Sequence, residues 1–503
     1  MEYDKNPAGL ITAARTVWMG KVLPILLLIT LVFPSFINIR YDHDWGDDFA
    51  MYIIEAKKIA TGQSLLDLGY LYDRVNAGGG PPAYPVGFPL MLAPVYRFFG
   101  ISFRHFHYLM SALAAAFSLL TFLYIRRKTG VVAGAFALAL VLAFNPWLID
   151  FKNAVLSDLP FSVFVLLAVI AVERRSPYWA GLAMGFALTI RSAGVAMFAG
   201  LLMDVAYRYV FQPDAKESRR TLLAQAAITL LIATGLRFLI SAIYRTPGSE
   251  SGYLDQIPPR ALIWEVVRNN VNYYIDTARD FIPSFQAVFL SKLLWISLVW
   301  CSLAGFLKKV KKGPEFSEFF VFAYLVMILM WTSWQGFRFL LPVVPMMLYY
   351  TGLQISELGI ALFGTRARYA PWLAVFALFF AVVPSLRALQ RNHRNPMEGP
   401  MSPDAQEAYR EIQLRTPPDA KFLADKPRAL ALFTDRSAAF DVPGLPPEAF
   451  RDFVKSKNIR YKLIDLAGRS VGDAVFRKQF PADIVPTDVW SSPRYLILRM
   501  DWN

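Results

Sequence analysis

Apolar runs separated by short polar stretches recur along most of this chain. Their length, roughly 20 residues, is what a helix needs to cross a hydrocarbon core of about 30 Å. The pattern predicts about eleven such spans, near residues 22–38, 106–125, 131–149, 156–172, 178–190, 192–207, 221–243, 286–307, 316–333, 339–360 and 369–388. The fifth is short. The first is expected to stay uncleaved, because it is long, lacks a small-residue cleavage site and precedes many further spans. No internal repeat or low-complexity segment breaks the pattern.

Two stretches between spans are too polar to cross. In 39–105 the spacing predicts a helix from Asp48 to about Ala60, with Tyr52, Ala56 and Ile59 on one face and Glu55, Lys57 and Lys58 elsewhere; Gly62 ends it. Gly78-Gly79-Gly80-Pro81-Pro82 reads as a flexible turn. Phe88 to Phe99 is apolar but too short to span, and the prolines at 85, 89 and 94 should interrupt it, so an interfacial or re-entrant piece is expected. In 243–285, Trp264, Val267, Val271, Tyr274, Ala278 and Phe281 form a helical stripe, with Glu265, Arg268, Asp276 and Arg279 off it. After about residue 391 helix-like stretches (402–413, 447–457) alternate with β-rich runs at 421–424, 461–464 and 495–498. This division predicts a membrane domain over 1–390 and a small α/β domain over 391–503.

Composition agrees with a polytopic membrane protein, at 55% hydrophobic and 18% charged residues. The net charge of +14 comes largely from clusters in short loops: Lys5, Arg15 and Lys21; Arg126-Arg127-Lys128; Arg174-Arg175; Arg208, Lys216, Arg219 and Arg220; Lys308, Lys309, Lys311 and Lys312; Arg366 and Arg368. All fall on one side of the predicted topology. The positive-inside bias makes that side cytoplasmic and places the tail outside, as for a bacterial inner or plasma membrane protein. A nucleic-acid partner is not needed to account for the charge. Cys301 is the single cysteine, and the four histidines form no cluster with it, so no zinc site is expected.

Chemistry is expected where acids stand at the outer boundary. Asp47 and Asp48 open the predicted helix after the first span. Either supplies a general base, but a helix start also favours an acid as N-cap (Asp47) or at the positive end of the dipole (Asp48). Asp158 stands at the same predicted depth, where it either orients an acceptor or simply starts a helix before Pro160. Arg191, Arg237 and Arg338 lie at outer ends of spans and are candidate phosphate donors, or residues that snorkel to headgroups; Lys292 is a weaker candidate of the same kind. Asp42, His43 and Asp44, together with the acid pair, are either a divalent-cation set or a solvated acidic loop. Tyr84 and Tyr52 are expected to line the site.

These motifs resemble the GT-C class of membrane glycosyltransferases. The similarity is greatest to the protein O-mannosyltransferases and the lipid A aminoarabinose transferases. It rests on Asp48-x-x-x-Tyr52-x-x-x-Ala56, Tyr84-Pro85-Val86-Gly87-Phe88-Pro89-Leu90, Val155-Leu156-Ser157-Asp158-Leu159-Pro160-Phe161 and Arg338-Phe339-Leu340-Leu341-Pro342-Val343-Val344-Pro345. The resemblance implies transfer of a sugar from a polyprenyl-phosphate carrier to an extracytoplasmic lipid, glycan or protein, with Asp48 as general base. The chain departs from the class where Phe49 replaces an expected Glu, and its tail shows no recognised carbohydrate-binding signature. The alternatives are a multispan transporter or flippase of a lipid-linked or small polar substrate, and a receptor-like assembly protein. A transporter would favour repeated halves and acids at mid-membrane.

Overall fold

The computed structural model describes residues 23–73, 80–212, 218–246, 262–277, 288–364, 396–442, 445–467, 480–481 and 483–502. Helices occupy ten of the predicted spans: α1 (Leu23–Val32, continued by a 3-10 turn to Phe36), then, beyond the first polar stretch, helices Phe103–Thr129, Val132–Ala143, Asp158–Glu173, Pro177–Ile190, Val195–Phe211, Arg219–Ile243, Val288–Lys312, Phe316–Leu329 and Val344–Phe363. The eleventh, 369–388, lies outside the described residues. Among the described residues, five stretches are long and apolar enough to cross a membrane: Phe103–Thr129, Ser192–Phe211, Arg219–Ile243, Lys292–Lys312 and Gly336–Leu362. The helix Asp158–Glu173 is apolar nearly all round and buries residues on every face. This is the expected behaviour of a helix at the centre of a bundle.

The first polar stretch holds α2 (Asp48–Ala60) and α3 (Gly87–Phe99), packed on each other. Two expectations change here. Every residue from Phe49 to Ala56 is buried, Glu55 off the predicted stripe included, because α3 and the helix Pro427–Thr434 pack on α2. The prolines do not interrupt α3. Pro89 falls in its first turn, where the missing N–H has no intrahelical partner to lose, and the helix continues through Pro94. Phe98 and Phe99 protrude at its end, at 80% and 53% exposure.

Further along, the helix Ile263–Asp276 docks by a face that keeps Tyr274 of the predicted stripe against the bundle core but centres on Asn270. Asn270 is buried, its amide donating to the carbonyls of Leu329 and Trp331 at 2.8 and 2.6 Å, and it accepts the Trp334 indole N–H at 2.8 Å. Trp264 is left 82% exposed and Val271 40% exposed. Residues 278 and 281 of the stripe lie outside the described residues.

Among the described residues, basic side chains from two of the clusters, 126–128 and 308–312, meet at one end of the bundle. Lys128 Nζ ion-pairs Glu173 at 2.7 Å and Glu315 at 2.6 Å, Lys309 reaches Glu315 at 2.7 Å, and Lys308 meets Glu357 at 2.5 Å. At the α2 end lies the C-terminal region, a five-stranded sheet in the order β2-β1-β3-β5-β4. Its strands are β1 (Lys421–Ala424), β2 (Ser437–Phe440), β3 (Tyr461–Asp465), β4 (Ile484–Ser491) and β5 (Tyr495–Trp502). β1 runs parallel to β2 and β3, while β5 is antiparallel to β3 and β4. Helices Pro403–Arg415, Pro427–Thr434 and Pro447–Ser456 accompany the sheet. The helix Pro427–Thr434 and the strands β2 and β4 were not expected from the sequence. The region is tied to the rest of the chain in several places: Pro427–Thr434 packs on α2, Ala438 of β2 exchanges backbone hydrogen bonds of 2.8 Å with Gly69 and Leu71, and Lys457 pairs with Asp73 at 3.2 Å.

Close helix approach is set by glycines at the crossing of Pro177–Ile190 with Arg219–Ile243. A Cβ on Gly181 would stand 2.7 Å from the Ile232 Cβ, and one on Gly185 would stand 3.1 Å from the Ala233 backbone. Small residues four apart let helix backbones pack where no hydrophobic effect drives them together. Gly185→Val is expected to cost about 1–3 kcal/mol of stability by overpacking, read as a fall in the thermal midpoint of detergent-solubilised protein. Gly235→Val, whose Cβ meets nothing within 4 Å, should leave that midpoint nearly unchanged.

Candidate functional site

α2 begins at the acid pair, but neither acid is spent on capping it. Asp47 occupies the N-cap position without a side-chain cap bond. Its Oδ1 instead accepts the backbone N–H of Ala429, at 3.3 Å, from the helix Pro427–Thr434. The reading of Asp47 as a cap is thereby corrected: a tertiary donor competes for its carboxylate. Asp48, in the first turn, accepts the Tyr84 hydroxyl at 2.5 Å on Oδ1 and Arg338 Nη2 at 3.2 Å on Oδ2.

Arg338 also faces Asp158, with Nε 3.8 Å from Oδ2. The other Asp158 oxygen pairs with Arg191 Nη1 at 2.9 Å. Arg191 in turn donates to Ser157 Oγ at 3.0 Å, and Ser157 shares a 2.8 Å hydrogen bond with the Tyr52 hydroxyl. The Tyr52 and Tyr84 rings stack with centroids 4.6 Å apart. Asp47, Asp48, Asp158, Arg191, Arg338, Tyr52 and Tyr84 are thus brought into one network from five separate stretches of chain.

Arg237 does not join it. Its guanidinium donates to Ser241 at 2.8 Å, one turn along its own helix, and among the described residues it makes no ion pair with Asp47, Asp48 or Asp158. A span-end arginine has a helix-local partner available, and sequence position alone does not reveal which way it turns. Lys292 is likewise engaged elsewhere, 2.6 Å from Asp276. The possible cation set does not assemble either. Asp42 pairs with Arg40 at 2.9 Å and accepts the Met397 N–H at 2.7 Å, while His43 Nε2 accepts the Val155 N–H at 3.0 Å. Among the described residues no group of three or more potential metal ligands is found.

Sequence reasoning missed Arg428 and Glu55. Arg428 is 1% exposed, with Nη1 3.6 Å from Asp48 Oδ1 and Nε 3.9 Å from Asp47 Oδ2. It donates to the Tyr84 hydroxyl at 3.0 Å and to the Pro81 carbonyl at 2.7 Å, and its guanidinium lies 4.7 Å from the Tyr70 ring centroid. Nothing around Arg428 marks it in the sequence. The one signal is indirect: Gly80 has φ +78°, and a Cβ there would stand 2.7 Å from Arg428 Nη2, so part of the glycine-rich turn is glycine because the arginine needs the space. Glu55 is fully buried and accepts the Tyr84 backbone N–H at 2.8 Å, which anchors the tyrosine that reaches Asp48.

These surroundings separate the three carboxyls. Burial resists ionisation of Asp48, but Arg338 and Arg428, helped by the Tyr84 hydroxyl, outweigh it and hold the group below its ordinary value. For Asp47 burial prevails over Arg428 and the Ala429 N–H, and the value rises. Burial pushes Glu55 up to about 8. Asp48 is therefore an ionised acceptor at neutral pH, within reach of two guanidinium groups, while Glu55 is largely protonated. A carboxylate beside cationic forks is able to take a proton on one side while the forks hold an anion on the other.

No protein-family profile and no curated protein sequence matches the chain. Solved structures do. ArnT from Cupriavidus metallidurans in the apo state superposes with TM-score 0.60 at 13% identity, covering 97% of this chain and 98% of that one. The same protein bound to undecaprenyl phosphate gives 0.56 at 13% identity, covering 96% and 98%. The archaeal oligosaccharyltransferase AglB from Archaeoglobus fulgidus gives 0.58 at 14% identity, covering 89% of this chain and 70% of that one. All are GT-C glycosyltransferases, and the chain is similar to them over most of its length. It has the GT-C fold.

Proposed function

We propose that this protein is an integral-membrane glycosyltransferase that moves a sugar from a polyprenyl-phosphate carrier to an extracytoplasmic acceptor. The observation that carries the reading is Arg338 spanning Asp48 and Asp158 with Arg191 beside it. This is a base and a phosphate cradle in contact, in a fold shared with a protein solved with undecaprenyl phosphate. Asp48 takes the proton from an acceptor hydroxyl or amine as that atom bonds to the sugar's C1. The C1–O bond to the carrier phosphate breaks, and the phosphate leaves with the electron pair. Arg338 and Arg191 meet the charge that develops on it. Asp158 orients these two arginines, and Tyr84 and Tyr52 hold the wall. The end of the bundle bearing α2 and the sheet faces outward, and the basic end faces the cytoplasm.

A nucleotide sugar is not the donor in this reading, because the acids are on the outer face. Purified protein should turn over a polyprenyl-phosphate sugar and ignore nucleotide sugars; turnover of the latter without lipid carrier would reject the assignment.

Asp48→Asn should lower the transfer rate about 100- to 10,000-fold, the usual worth of a positioned base, with folding and membrane insertion intact. Asp47→Asn should be milder. If Asp47→Asn is the more damaging of the two, the base is Asp47.

Arg338→Met keeps an apolar stem and removes the fork. Undecaprenyl phosphate should bind about 10- to 100-fold more weakly, as for loss of a charge-assisted hydrogen bond worth about 1.5–3 kcal/mol. Unchanged affinity by native mass spectrometry would move the phosphate site elsewhere.

The pH profile tests the electrostatics. Asp48 acts unprotonated, and its cations lower its pKa, so the acid limb of kcat/KM should lie below the ordinary carboxylate range. Arg428→Met removes one cation, raises that pKa, and should move the acid limb to higher pH. An unmoved limb would mean that the limiting base is not Asp48.

A further inference from the structure

A half-open cleft of about 290 Å³ lies beside the acid pair, between the C-terminal sheet and the segment leading into α2. Its floor is the carboxyl end of two adjacent parallel strands, Ala424 and Asp425 at the end of β1 and Asp465 at the end of β3. With the strand order β2-β1-β3, the chain leaves β1 to one side for β2 and returns on the other as β3. The cleft therefore sits at the switch point, where open α/β sheets bind ligands. None of the residues of the candidate site described above lines it.

Its lining has two halves. The half-buried Trp45 presents aromatic surface, backed by the buried Tyr409 and Tyr495, and the Trp45 indole N–H is buried without a hydrogen-bond partner among the described residues. Asp425 and Lys426 are adjacent and exposed, and their side chains make no hydrogen bond or ion pair among the described residues. Arg494 is committed, held by Asp465 at 2.6 Å and by Glu398. An acceptor and a donor side by side, next to aromatic walls, match a sugar. Each sugar hydroxyl both donates and accepts, so a vicinal pair bridges Asp425 and Lys426, while the ring's C–H face lies on an aromatic ring. The volume is at the small end of the roughly 300–1,000 Å³ of small-molecule sites, which suits one ring and not an extended peptide.

The cleft is also coupled to the acids through the backbone. Trp45 precedes Asp47 by two residues, and Asp425-Lys426 leads directly into Pro427, Arg428 and Ala429, the last two of which hold Asp47 and Asp48. We infer that this cleft is an acceptor subsite that seats one ring of a saccharide acceptor while a neighbouring ring offers its hydroxyl or amine to Asp48, the saccharide being either a soluble glycan or the sugar headgroup of a glycolipid. The inference rests on the glycosyltransferase reading and names its acceptor class.

The test is saturation-transfer NMR on the full-length protein in detergent, with methyl gluco-, galacto- and mannopyranosides and their 2-amino analogues as probes. Undecaprenyl-phosphate binding by native mass spectrometry is followed in parallel. At least one glycoside should bind saturably. Trp45→Ala, Asp425→Asn and Lys426→Met should each weaken it tenfold or more while leaving lipid binding intact, which also certifies that the variants fold. The same sugar carried on a lipid in nanodiscs binding tenfold tighter identifies a glycolipid source; equal affinity identifies a soluble glycan. Lipid binding with no saturable glycoside, glycoside binding unaltered in all three variants, or displacement of glycoside only by a Ser/Thr peptide overturns the inference. Glycoside binding without lipid binding overturns the donor reading instead and leaves the cleft standing.

Discussion

The structure depends on neutralising three carboxyls gathered at one end of a largely apolar bundle. Asp47, Asp48 and Asp158 are only partly exposed, at 18%, 28% and 3% of their side chains. A buried charge without a partner is costly, and removing one member of a buried pair costs about 3–5 kcal/mol. Three arginines meet the demand from three places: Arg191 at the end of one helix, Arg338 in the 3-10 turn before another, and Arg428 in the C-terminal sheet region. The bundle and the C-terminal region are therefore held together by the charges that the site needs. Docking of the one completes the electrostatics of the other.

That arrangement gives the site its division of labour. Arg338 and Arg428 approach Asp48 from opposite regions of the chain and keep it ionised in spite of burial. Asp47, one residue away, shares Arg428 only at 3.9 Å and is driven toward protonation. Adjacent residues of the same type thus have different character because of the neighbours that tertiary structure assigns them. Tyr84 links the systems. Its hydroxyl donates to Asp48 and accepts from Arg428, its backbone N–H is fixed by Glu55, and its ring stacks on Tyr52.

The long spans were legible because a helix in lipid must satisfy its backbone internally and present apolar side chains over a set length. α2 was legible to the residue, Asp48–Ala60, since its apolar period and the following Gly62, with φ +70°, are local features. Strand β1 was equally plain. Less legible were elements whose identity comes from packing. The prolines at 89 and 94 looked like breaks, yet α3 packs against α2 and continues through them. The helix Ile263–Asp276 turned a buried asparagine inward and left Trp264 outside, because unsatisfied carbonyls at Leu329 and Trp331 were waiting for a donor.

The sequence by itself determined the polytopic helical class, the place of the acid pair at a helix start, and most members of the side-chain cluster that forms the candidate site: Asp47, Asp48, Asp158, Arg191, Arg338, Tyr52 and Tyr84. Each carries a local signal in spacing, span depth or motif. Only the tertiary structure decided that Arg237 turns to Ser241, that Asp47 serves the Ala429 N–H and not its own helix, that Glu55 is buried, and that Arg428 closes the cluster from a region with no recognisable motif. The reason is physical. Hydrophobic periodicity is a short-range property that survives in the linear chain, whereas a charge finds its partner across whatever gap the fold closes, and that gap has no counterpart in the order of residues.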